Sequence, residues 1–102
     1  MAAQQAVQRV QASDALLDYL QALIAATRNG RWFVEGLSPR AGIAILRAAR
    51  ARALLAQRTY VAPEDVQAIL PQTAAHRLVP VAGAGRGRVE QVRAMIEAVP
   101  LP

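Results

Sequence analysis

The sequence predicts an all-α fold, a small bundle of about four to five helices with at most very short extended segments. Two observations predict it. Apolar residues make up 54% of the chain but many of them are alanine, and aromatics are confined to Tyr19, Trp32, Phe33 and Tyr60. Such a composition favours closely packed helices over a sheet. The larger apolar residues also recur at helical spacing through several stretches. With 102 residues there is chain enough for one domain, 1–102, with a modest core, and neither an internal repeat nor a second domain is visible.

Residues 3–10 read as a short opening helix with Ala6, Val7 and Val10 as its apolar positions. Ser13 then suits the N-cap of a helix running to about Arg28. Its stripe is Leu16, Leu20 and Leu23, broadened by Leu17 and Ile24, with Thr27 next on the same face. Asp14 and Asp18 complement the dipole at its start, and Asn29-Gly30 supplies a left-handed stop. Residues 31–37 read as an apolar extended connector packing back on the bundle, with room for a short strand.

A third helix is predicted from about Pro39 to Gln57. Ile43, Leu46, Leu54 and Leu55 point in several directions, which suggests a central helix, while Arg47, Arg50, Arg52 and Arg58 keep their heads in water. Thr59-Tyr60-Val61 is a short extended piece. Pro63 opens a fourth helix with Glu64 and Asp65 in its first turn and Val66, Ile69 and Leu70 on its buried face. Pro71 is expected to break that helix, with a further turn through His76. Residues 82–88, Ala-Gly-Ala-Gly-Arg-Gly-Arg, form a flexible linker. A last helix covers roughly 89–98, striped by Val89, Val92, Ile96 and Val99, and Pro100 ends it.

Several chemistries are excluded. Without cysteine there are no disulfides, no thiolate catalysis and no cysteine-based zinc site, and a lone His76 is too little for a histidine-rich metal site. The N-terminus has neither a secretory nor a transit pattern, and every apolar run is interrupted before it could cross a membrane. The net charge is +5, from twelve arginines and no lysine against seven acids. A phosphate-binding loop of the G-x-x-x-x-G-K-[ST] kind needs a lysine and is therefore absent. The glycines of 82–88 lack the dinucleotide-binding pattern. Glu64 and Asp65 are neighbours that face different directions, a poor acid–base couple. No nucleophile–base pair stands out, so the isolated chain reads as non-catalytic.

The stretch Gly36-Leu37-Ser38-Pro39-Arg40 is the most informative. Ser38 is a good N-cap and Pro39 fits the first helical position, which sets Arg40 in the first turn. That turn already carries partial positive charge, so a cation there is disfavoured by a few tenths of a kcal/mol up to about 1. Either the side chain curls back into water, or the position serves an anion such as a phosphate.

The run from Gly36 to Arg77 resembles the C-terminal lid of the MoxR branch of AAA+ ATPases. The resemblance rests on Gly36-Leu37-Ser38-Pro39-Arg40-Ala41, on Arg58-Thr59-Tyr60-Val61-Ala62-Pro63-Glu64-Asp65-Val66, and on His76-Arg77-Leu78. Asp18-Tyr19-Leu20 and Ala26-Thr27-Arg28 are similar to the first long lid helix, and Val99-Pro100-Leu101-Pro102 to the usual chain end. Two positions depart from the pattern: Gln57 stands where glycine is usual, and Ala62 where threonine is frequent.

The resemblance implies a nucleotide-sensing lid following an ATP-binding core on the same parent chain, of which these residues are a fragment. It assigns Arg40, set by Ser38 and Pro39, to the sensor-2 contact with ATP phosphates. It places no catalytic residue and no metal ligand in this chain, and leaves ATP and Mg²⁺ to the parent. It further implies a cytoplasmic, chaperone-like ATPase that forms homo-hexameric rings, works with von Willebrand A-domain proteins and assists assembly or metal-cofactor insertion. Two alternatives arise from the residues themselves. One is a small basic, histone-like nucleic-acid-binding protein, weakened by the absence of lysine. The other is a protein-interaction module, favoured if Trp32 and Phe33 are exposed.

Overall fold

The computed structural model describes residues 6–7, 9–85 and 87–102. The expected opening helix falls partly outside them. Its described residues Ala6, Val7 and Arg9 are helical, and Val10 closes on the Val7 carbonyl at 3.1 Å. Four longer helices come next: α1 (Asp14–Arg28), α2 (Ala41–Leu55), α3 (Pro63–Ala74) and α4 (Arg88–Ala98), with a 3₁₀ turn, Ala75–Arg77, directly after α3. No sheet occurs among the described residues. Among these residues extended segments meet at two isolated bridges, Gln11 with Tyr60 in parallel and Phe33 with Pro80 antiparallel. The fold is all-α, as the composition predicts.

α1 conforms closely to its sequence. The Ser13 hydroxyl accepts the Leu16 N–H at 3.1 Å, and Leu16, Leu20, Leu23 and Ile24 are buried together with Tyr19. Beyond Arg28 the chain leaves the helix through Asn29 and Gly30, the latter at φ +80°. Asn29 Oδ1 accepts the Arg31 N–H at 2.9 Å and completes the stop.

α2 differs from expectation. It buries Gly42, Ile45, Ala49 and Ala53, an i, i+3/i+4 row of mostly small residues, while Ile43 and Leu55 are exposed, Leu55 at 86%. Small residues on the inner row let α2 lie close to α1 and α3, and this proximity turns the larger side chains outward or to the flanks. The helix also ends at Leu55, before the predicted Gln57. Its end is a Schellman motif: Gln57 sits at φ 59°, its N–H donates to the Leu54 carbonyl at 2.8 Å, and Arg58 N–H reaches back to the Ala53 carbonyl at 2.9 Å.

Pro71 does not break α3. The helix continues to Ala74, with Pro71 buried inside it. The missing hydrogen bond is tolerated because Val66, Leu70 and Ala74 seat this helix in the core. The change of geometry comes at Ala75, where the 3₁₀ turn begins. In α4, Val92, Met95 and Ile96 are buried as well as Gln91, whose Nε2 donates to the Trp32 carbonyl at 3.0 Å; Val89 is exposed instead of buried. Phe33, Leu23, Leu70, Leu78 and Met95 are fully buried members of one hydrophobic core. No helix among the described residues is long and apolar enough to cross a membrane.

Candidate functional site

The C-terminal end of α1 sets the site. Thr27 is fully buried, and its hydroxyl is used twice. Oγ1 donates to the Ile24 carbonyl at 2.6 Å and accepts the Leu37 N–H at 2.9 Å. A Cβ added at Gly36 would stand 2.4 Å from the Thr27 carbonyl oxygen and 2.4 Å from Arg28 Cγ. Only glycine lets the backbone lie against the helix end at that point. Leu37 is next, with its side chain buried, anchoring the chain again.

From this anchor the chain turns tightly into α2. Ala41, Gly42 and Ile43 donate their N–H groups to the carbonyls of Ser38, Pro39 and Arg40 at 3.0, 3.1 and 3.1 Å. These are i→i+3 bonds, so the helix opens on a 3₁₀-like turn, and its regular part starts at Ala41. The expected roles of Ser38 and Pro39 are corrected accordingly. Ser38 contributes its carbonyl, not a capping hydroxyl, and Pro39 lies in the opening turn instead of at the first α-helical residue. Arg40 has helical angles, φ −64° and ψ −30°, at the head of α2. It is exposed, and among the described residues only Arg52 and Arg58 form ion pairs. A cation thus stands unpaired at the positive end of a helix.

A cleft of about 260 Å³ lies beside this turn, between Leu37, Ala41 and Ala44 on one side and Thr73, Ala74 and Arg77 on the other. His76 is exposed, its ring has no partner among the described residues, and its carbonyl accepts from Arg88 at 3.4 Å. Of the loop 82–88, Arg86 lies outside the described residues, and Gly83 and Gly85 take φ of +82° and +69°.

At the far end of α2 a second charged cluster holds the fold. Asp65 is fully buried. Arg58 grips it with two hydrogen bonds at 2.6 and 2.7 Å, Arg52 adds a third at 2.7 Å, and the Ala62 N–H a fourth at 2.8 Å. Burial pushes the carboxyl up, but the bonds from Arg58, the Ala62 amide and Arg52 outweigh it and hold the pKa down at about 2. Arg52 and Arg58 are therefore not merely wet heads over apolar stems, and Asp65 does more than complement a helix dipole. The Arg58-to-Asp65 segment, prominent in the sequence pattern, is a structural clamp joining α2 to α3. A carboxylate at the third helical position with arginines on the preceding helix and loop is the signal that points to it. Phe33 is fully buried and Trp32 half-buried, with Arg31 stacked on the indole at 4.9 Å. With Phe33 wholly inside the core and Trp32 partly covered, the reading as a docking module is weakened.

Residues 25–99 match the AAA lid domain family. The chain is 41% identical over 76 residues to the uncharacterized protein YeaC of Bacillus subtilis, covering 74% of this chain and 24% of that protein. It is 40% identical over 74 residues to the chaperone MoxR1 of Mycobacterium tuberculosis, covering 64% of this chain and 20% of that one. With the protein MoxR of Methylorubrum extorquens it shares 42% over 71 residues, 66% of this chain and 21% of the relative. The chain thus spans between a fifth and a quarter of the length of the curated relatives it matches. A crystal structure of a candidate ATPase from Cytophaga hutchinsonii superposes with a TM-score of 0.84 at 25% identity, over 96% of this chain and 33% of that one.

Proposed function

The chain belongs to the AAA lid domain family, and on that premise we propose that it is the nucleotide-sensing lid of a MoxR-type AAA+ ATPase, with Arg40 as its phosphate contact. The observation that carries the reading is the exposed, unpaired Arg40 at the head of α2. Its position fits an anion: an exposed arginine stands at the positive end of a helix, where both charges favour a phosphate. A charge-assisted hydrogen bond to phosphate is worth roughly 1.5–3 kcal/mol, more than the cost of placing a cation there.

ATP is held by a core that, on this reading, precedes the lid on the parent chain and supplies Mg²⁺ and most of the phosphate contacts. Arg40 adds a contact whose strength depends on which phosphates are present. A contact that differs between ATP and ADP biases the lid between two orientations by that difference, about 10- to 100-fold in population. The clamp at Asp65 stiffens the lid for this movement. α2 spans about 22 Å, with Arg40 at one end and the Arg52–Asp65–Arg58 cluster fixing α3 to the other. A pull on Arg40 is then carried by a rigid α2–α3 pair. The proposed parent is a cytoplasmic, chaperone-like ATPase assembling as a homo-hexameric ring, with von Willebrand A-domain proteins as partners in assembly or metal-cofactor insertion.

The test is Arg40→Ala in the full-length protein. A fall in ATP turnover and loss of nucleotide-dependent assembly are expected. Unchanged turnover and assembly would sink the reading.

A further inference from the structure

We infer that Thr27 is a positioning residue for Arg40: its hydroxyl fixes the strand of backbone from which the arginine is presented. The inference rests on the sensor reading of Arg40 and adds to it a device on a different helix, thirteen residues earlier in the chain.

Thr27 ends the apolar stripe of α1, where a leucine or valine would satisfy packing. A fully buried hydroxyl there needs partners, and it has two. One is local, the Ile24 carbonyl at 2.6 Å, and orients the side chain. The other, the Leu37 N–H at 2.9 Å, crosses ten residues of sequence. It is the bond that ties the connector to the helix end. Gly36 enforces the same contact sterically, because any Cβ would collide with the Thr27 carbonyl at 2.4 Å. Leu37 is then held by its amide and by its buried side chain together.

Only Ser38 and Pro39 separate Leu37 from Arg40. Three residues extend at most about 10 Å, and here they are shortened further by the i→i+3 bonds to Ser38, Pro39 and Arg40. Proline also fixes its own φ. Little freedom remains between the Thr27 hydroxyl and the Arg40 Cα, so a shift at Leu37 moves the guanidinium. Valine at position 27 keeps the shape but removes the hydroxyl and leaves the Leu37 amide buried without its acceptor. The connector must then move to find water, and Arg40 moves with it.

The experiment is a double-mutant cycle in the full-length protein, reading kcat/KM for ATP in wild type, Arg40→Ala, Thr27→Val, Thr27→Ser and the Thr27→Val/Arg40→Ala pair. Arg40→Ala is expected to lower kcat/KM about 10- to 100-fold. Thr27→Val should reproduce a large part of that loss, Thr27→Ser should restore it, and the double variant should be no worse than Arg40→Ala alone. Fully multiplicative losses in the double variant would mean that Thr27 acts independently of Arg40, and would overturn the inference while leaving the sensor reading intact. A folded Thr27→Val protein with wild-type kinetics beside an impaired Arg40→Ala protein would do the same. If Arg40→Ala alone is silent, the sensor reading falls and the positioning role falls with it. Amide exchange on the unmutated chain supplies a readout independent of any variant's folding. The Leu37 N–H should exchange as slowly as amides inside α1, and exchange at the rate of an open loop would contradict its tether to Thr27.

Discussion

Arg58 and Asp65 meet through two parallel hydrogen bonds, Nη1 to Oδ2 at 2.6 Å and Nη2 to Oδ1 at 2.7 Å, with the carboxylate wholly out of solvent. The bidentate fork suits arginine and no other side chain. Asp65 thereby becomes the acid-sensitive point of the domain. Its folded pKa, about 2, lies below the ordinary 3.8 that the unfolded chain regains. The stabilisation is therefore fully present above pH 3.8 and is lost as the pH falls from there toward 2. It amounts to about 2 kcal/mol. Chemical unfolding of the wild type at neutral pH and near pH 2 should show this loss. Asp65→Asn should already be weaker by about 3 kcal/mol at neutral pH, since two arginines are left facing a neutral amide. It should also lose less on acidification. An equal loss on acidification in both proteins would contradict the clamp.

Gln57 occupies a left-handed position at the end of α2, with φ 59°. A side chain there is strained by about 1 kcal/mol relative to glycine, which is the usual residue of such a stop. Gln57→Gly is expected to stabilise the domain by about 0.5–1 kcal/mol, read as a rise in the denaturation midpoint at unchanged slope. A fall in the midpoint would show that the glutamine side chain makes a contribution of its own.

Gly36→Ala should do the opposite. The new methyl meets the backbone oxygen of Thr27 at 2.4 Å, and backbone cannot rotate away as a side-chain tip can. A loss of about 1–3 kcal/mol is expected from thermal or denaturant unfolding. Gly42→Ala serves as the comparison, because there the added methyl meets only the mobile tip of Ile24, at 2.8 Å. Equal costs at the two glycines would argue against the close approach at Gly36.

What could be read from the sequence was whatever a local rule determines. Ser13 three residues before Leu16, and Asn29-Gly30 after Arg28, are caps and stops that need no tertiary partner, and both occur as expected. The features that escaped are those decided by a neighbour far along the chain. The third helical position marks Asp65 as the capping carboxylate, but only the folded chain buries it between two arginines while Glu64 stays exposed. Pro71 reads as a breaker until the core that holds α3 on both sides of it is known. The large residues of α2 suggest a central helix with apolar contacts on more than one side, but alanines and a glycine take the inner row and leave Leu55 in solvent. At the candidate site, Arg40 and its unfavourable place at a helix start were legible. The tether beneath it was not, since Thr27 and Leu37 become partners only when the connector folds back.

The basic charge leads to a further expectation. Charge +5 carried wholly by arginine would give salt-dependent retention on duplex DNA if it formed a phosphate-tracking surface. Two of the twelve arginines are instead committed to Asp65. The chain should pass a duplex-DNA column unretained at physiological ionic strength, and firm retention there would revive a nucleic-acid role.

The most direct test of the central claim is the ratio of ATP to ADP affinity in the full-length protein with and without Arg40. Arg40→Ala should weaken ATP binding about 10- to 100-fold and ADP binding much less, so that the preference collapses. An unchanged ratio in a folded Arg40→Ala protein would contradict the claim that Arg40 reads the phosphates of the bound nucleotide.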